Sequence, residues 1–171
     1  MLIRHVATSL AVLAALAACN DDDDGGNGPS AGGADVEVSG AIESNWDGRS
    51  FYAVDDEEGD FFILAFDGDY PSEANLGLGT YDGEFVAFYF ENSGQPGTGS
   101  YGVGDGQPAQ ALYYNDAGQR ACLTTNGRGG QLVISESGSQ MVGTFEFDAF
   151  CSDLSTVSVT GSFDAEAYVE P

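Results

Sequence analysis

From residue 35 onward, apolar and polar positions alternate with a period of two, and Gly-rich breaks fall about every eight to twelve residues. The stretch 156–167 is clearest. Val157, Val159, Gly161, Phe163, Ala165 and Ala167 point one way, while Thr156, Ser158, Thr160, Ser162, Asp164 and Glu166 point the other. Residues 141–149 repeat this, with Met141, Gly143, Phe145, Phe147 and Ala149 sharing a face. Gln131 to Ser135, ended by Ser137-Gly138-Ser139, predicts a hairpin with that strand. Further strands are predicted at 36–44, 50–56, 60–67, 84–91, 109–115 and 119–125, with Trp46 in the turn between the first two. No sustained 3.6-residue period appears, so the expected fold is all-β: an antiparallel β-sandwich or partly closed barrel of about 8–10 short strands.

Gly-(Ser/Thr)-aromatic recurs at Gly79-Thr80-Tyr81, Gly99-Ser100-Tyr101, Gly143-Thr144-Phe145 and Gly161-Ser162-Phe163. In a strand, the glycine and the aromatic share a face, and the missing side chain leaves room for a neighbouring ring or allows a bulge. Phe61–Phe66 and Phe85–Phe90 are apolar on both faces, which predicts burial on both sides or a partner surface. Gly99–Gly106 lacks a following helix and nearby positive charge, so it is expected to be a flexible loop, not a phosphate cradle.

The N-terminus breaks the strand pattern. Arg4 and His5 precede an apolar run, Leu10 to Ala18, too short to span a bilayer comfortably. The run ends in Leu16-Ala17-Ala18-Cys19, which resembles the bacterial lipobox, Leu-Ala-(Gly/Ala)-Cys. That resemblance implies a signal peptide over 1–18 and a diacylglycerol on Cys19, anchoring the chain to a membrane through its N-terminal lipid. Residues 19–34, with Asp21 to Asp24 and a Gly/Pro/Ser run, are expected to be a disordered tether before a single domain at 35–171. Asn20 follows the cysteine where an inner-membrane retention signal would carry Asp, so the expected location is the outer membrane of a bacterial envelope.

Gly130-Gln131-Leu132-Val133-Ile134-Ser135, Val142-Gly143-Thr144-Phe145-Glu146-Phe147 and Val159-Thr160-Gly161-Ser162-Phe163 form an ordered series. It resembles the C-terminal strands of small uncharacterised bacterial lipoproteins of Bacteroidetes-like groups, over about 40 residues. The resemblance implies an all-β, envelope-tethered domain and lends no catalytic residue.

Charge then narrows the chemistry. There are 28 Asp plus Glu against four Lys plus Arg, and all four basic residues are arginine. So acidic a chain repels phosphate backbones, which excludes nucleic-acid binding by counterion release. The absence of lysine excludes Schiff-base and P-loop chemistry. Cleavage before Cys19 would remove His5, the only histidine, and with it triad catalysis and His-ligated metals. No enzyme and no cofactor are therefore expected. Cys122 and Cys151, an even pair in an exported chain, predict one disulfide.

Three sets of side chains remain as candidates. Asp55, Asp56, Glu58, Asp60, Asp67 and Asp69 crowd two turns and supply oxygens suited to calcium, although the EF-hand pattern is lacking and solvated charged turns are the favoured reading. Trp46 and Arg49 could bind a sugar or a partner, or Trp46 could plug the end of the fold with Arg49 paired to a carboxylate. Carboxylate pairs are too numerous to single out a hydrolase. The expected role is a lipid-anchored binding or structural module with an envelope protein or glycan as partner. A calcium- or carbohydrate-binding adhesion module is the alternative, and an acid–base hydrolase the third.

Overall fold

The computed structural model describes residues 32–54, 59–67, 83–91, 93–115 and 120–168. They form ten strands and no helix: β1 Gly32–Gly40, β2 Ser44–Val54, β3 Phe61–Phe66, β4 Glu84–Phe90, β5 Gly99–Gly104, β6 Gln110–Asn115, β7 Arg120–Leu123, β8 Gly129–Glu136, β9 Gln140–Cys151 and β10 Thr156–Ala167. The signal-peptide residues and most of the tether, 1–31, lie outside the described residues.

The ten strands make one sheet that closes on itself. β1 pairs with β2, β2 with β3, β3 with β4 and β4 with β6, all antiparallel. β6 and β5 then pair with β7 and β8, respectively. Both β7 and β8 lie along one edge of β9, β9 pairs with β10, and β10 returns to β1. β5 with β6, and β7 with β8, each behave as one long strand interrupted midway. The chain is thus an up-and-down meander whose last strand meets its first, a partly closed barrel with few exposed edges. Past the start of β1, the ends of β2 and β10 touch directly in a short parallel ladder, Phe51↔Glu166 and Tyr52↔Ala167.

Period-two patterning fills the interior. Phe61, Ile63, Val86, Phe88, Phe90, Phe145, Phe147, Val159 and Phe163 join one core cluster. The strands β3 and β4 also bury their outer face. Phe51, Leu64, Phe66, Phe85 and Ala87 form a second cluster, with Leu112, Tyr114 and Tyr168 packed against it. Both apolar runs are therefore buried on two sides.

Three boundaries differ from the sequence reading. The strand β1 begins at Gly32, because Gly32 to Ala34 pair with Ser50 to Gly48 and the Ser50 hydroxyl donates to the Gly33 carbonyl at 2.8 Å. The predicted turn around Trp46 is the first half of β2, held by β1 opposite it. The predicted loop Gly99–Gly106 contains β5, which runs antiparallel to β8 with Val103 buried. Its glycines let the backbones crowd: a Cβ on Gly104, whose φ is +131°, would lie 2.7 Å from the Arg128 carbonyl oxygen.

Strand direction defines two poles. β1 starts and β10 ends at one. The β1–β2 and β9–β10 turns lie at the other, about 27 Å away along β1.

Candidate functional site

At the turn-bearing pole, the alternation that points Val86 and Phe88 inward also turns Glu84, the first residue of β4, toward the interior. Its carboxylate gathers four donors from two strands, β2 and β6. Oε1 accepts from Ser44 Oγ at 2.9 Å and from Asn115 Nδ2 at 2.6 Å. Oε2 accepts from Trp46 Nε1 at 3.0 Å and from the Tyr113 hydroxyl at 2.7 Å. Asn115 also donates to the Tyr113 oxygen at 3.3 Å. Tyr113 and Asn115 are both buried, and β2, β4 and β6 are tied together at this end.

Electrostatics favours a lock over a reaction. Two donors occupy each oxygen of the Glu84 carboxylate. Burial, then the Glu84 hydrogen bond, pushes the Tyr113 phenol well above its ordinary value, so it remains a donor. Neither group has a free position for a substrate proton. The arrangement holds the pole closed.

Trp46 belongs to this lock. Its indole is 7% exposed and packs in the main core, so its ring is not presented for stacking on a sugar. Arg49 is an exposed residue farther along β2, and no salt bridge is formed by it among the described residues. The described ion pair is Arg120 Nε to Asp153 Oδ2, 3.2 Å. The paired-Arg49 expectation is therefore not met there.

Of the acidic turn residues, Asp55, Asp56, Glu58 and Asp69 lie outside the described residues. Asp60 is buried at 3% exposure and accepts from the Tyr89 hydroxyl at 2.6 Å. The backbone N–H of Asp67 donates to the Glu84 carbonyl at 2.8 Å. Among the described residues, no three His, Cys, Asp or Glu groups converge as metal ligands.

The predicted cysteine pair does meet. Cys122 on β7 and Cys151 on β9 stand opposite in register with sulfurs 2.04 Å apart, both buried. Only two residue pairs join β7 to β9, and this bond sits within them.

Midway down the wall, the interruptions of β5–β6 and β7–β8 project side by side. The N–H of Asn126 donates to Asp105 Oδ2 at 2.9 Å, and Thr124 Oγ1 replaces a ladder partner by accepting from the Ala111 N–H at 3.0 Å. Beside them, a shallow groove of about 300 Å³ is lined by Glu146, Asp148, Ser158 and Thr160, with Gly129 and Gly130. Bulges of this kind open surfaces at barrel walls.

Sequence reasoning missed Glu84, Ser44, Tyr113 and Asn115, since a single carboxylate among so many carries no local mark. The inward parity of Glu84 with Val86, Phe88 and Phe90 was the available sign. Searches against protein-family models, curated proteins and solved structures find no match to this chain.

Proposed function

We propose that this protein is a lipid-anchored component of a bacterial cell envelope whose barrel is a binding or structural module, not an enzyme. The observation that carries the reading is Leu16-Ala17-Ala18-Cys19 after a short apolar run. Acylation there would leave one membrane anchor, and several acyl chains hold stably because each buried methylene adds about 0.8 kcal/mol. The solid aromatic core and the saturated Glu84 favour a scaffold over a catalytic or interior-ligand role.

Mass spectrometry of the membrane fraction tests the anchor. The expected result is a mature chain beginning at Cys19 with diacylglycerol on its sulfur; an unmodified N-terminus at another residue refutes it.

A carbohydrate-binding reading is favoured by one feature, the groove at Glu146, Asp148, Ser158 and Thr160, whose carboxylates and hydroxyls suit a polyol. A glycan array with Glu146→Gln as the control decides it; equal binding by both proteins sinks it.

A further inference from the structure

Among the described residues, Leu154 is the most exposed large apolar side chain, ahead of Val54. It is 76% exposed, and its φ of 70° places a branched side chain in the left-handed region. That conformation is costly for a leucine and cheap for glycine or asparagine. Yet the turn is held firmly. The Leu154 N–H donates to the Cys151 carbonyl at 3.0 Å, and the Cys151 N–H to the Ser155 carbonyl at 2.9 Å. Asp153 accepts from both the N–H and the hydroxyl of Ser155. Arg120 pairs with Asp153 and also donates to the Ala41 carbonyl at 3.5 Å, so the β9–β10 turn is joined to the β1–β2 turn. The adjacent Cys151 is bonded to Cys122. One of the chain's few arginines is thus used to fix a strained, exposed leucine.

We propose that Leu154 is a preformed anchor for a protein partner that carries an apolar socket rimmed by Lys and Arg side chains. This inference deepens the binding-module reading and rests on it. Strain maintained in a rigid turn points to use, because a surface leucine with no role gains nothing from that backbone. A turn whose backbone is already held by hydrogen bonds presents its side chain without the cost of ordering the loop. Charge selects the occupant. The chain carries a net charge of −24, so a second copy or an anionic lipid surface is repelled while a basic rim is attracted. Leu154 stands at the pole opposite Gly32.

The test places p-benzoylphenylalanine at position 154 of the full chain in its native envelope, with position 126 as the control. Asn126 is also exposed and left-handed, with φ 57°. The expected result is one protein adduct specific to position 154, with a partner of net positive charge. Titration of that purified partner should bind the parent at least about tenfold more tightly than Leu154→Gly, a change of about 1.4 kcal/mol. Leu154→Gly should itself melt about 2 °C above the parent, through relief of the backbone cost. Adducts to lipid or to a second copy, labelling no stronger than at position 126, unchanged affinity, or a lowered melting temperature would each overturn the proposal. The mass at Cys19 is read from the same material. An unlipidated chain that still forms the adduct removes only the anchor, and a lipidated chain without it removes only the socket.

Discussion

Gly161 and Phe145 face each other across the β9–β10 ladder, and a Cβ on Gly161 would stand 2.5 Å from the Phe145 ring carbon Cζ. The relation is reciprocal. Phe163 faces Gly143, whose Cβ would lie 2.5 Å from the Phe163 Cζ. The two rings, 6.5 Å apart, each rest over the other strand's glycine. Adjacent strands can then bring large rings into the interior without crowding.

Replacing Gly161 with Ala should therefore destabilise the protein by about 1–3 kcal/mol through overpacking. The cost should shrink in a Phe145→Ala background, although the Asp35 carbonyl, 2.3 Å from the same Cβ, leaves a remainder. Urea denaturation of the double-mutant cycle measures the coupling; strict additivity would show that the ring and the glycine do not share this space.

Glu84→Gln should cost about 2–4 kcal/mol, because an amide cannot accept from four donors and leaves buried partners unmatched. The chain has one tryptophan, and it donates to this carboxylate. Its emission should shift to the red in the variant as the pole loosens. An unchanged spectrum and unchanged denaturation midpoint would show that the four bonds do not lock β2, β4 and β6.

The alternation of β9 and β10, the cysteine pairing and the Gly–aromatic packing were legible because each depends on spacing along one strand or on composition. The strand β5 was not. Gly104 reads locally as freedom, and only the approach of Arg128 and of Gly129 on β8 makes it a packing requirement. Trp46 read as a turn residue for the same reason, since its polar neighbours Asn45 and Asp47 face outward in a strand whose partner is β1. Glu84 was illegible because its donors come from residues 29 to 40 positions away. Convergence over that distance is set by register, which local patterning does not encode.

Exchanging both Cys122 and Cys151 for Ala should lower stability by about 3–4 kcal/mol on the loop-entropy model, for a separation of 29 residues. The effect should be concentrated where two residue pairs hold β7 to β9, so amide exchange should rise first at Ala121 and Leu123. Uniform loss of protection would place the weakening elsewhere.

Asp35 and Asp47 stand opposite each other on β1 and β2. The hydrogen bond with Asp35, then its like charge, raises the Asp47 carboxyl above its usual 3.8. The folded chain therefore retains a proton that the unfolded chain releases. The associated stability is full below pH 3.8 and is lost as pH rises through the elevated value. Asp47→Asn should accordingly melt above the parent at neutral pH and match it near about pH 3. Thermal melts at both values check this; an equal gain at both would remove ionisation as its cause.

The ladder between β1 and β10 pairs Ala34 with Phe163 and Val36 with Gly161. The ring is thus completed by the first and the last of the ten described strands, and no shorter run of these strands contains its own closure. Until β10 is present, β1 and β9 each expose an open edge able to recruit any extended polypeptide. Closure by strands so far apart in the chain makes completion of the fold depend on non-local pairing. It also makes β10 a checkpoint, since a chain without it would be left as an adhesive, unfinished sheet.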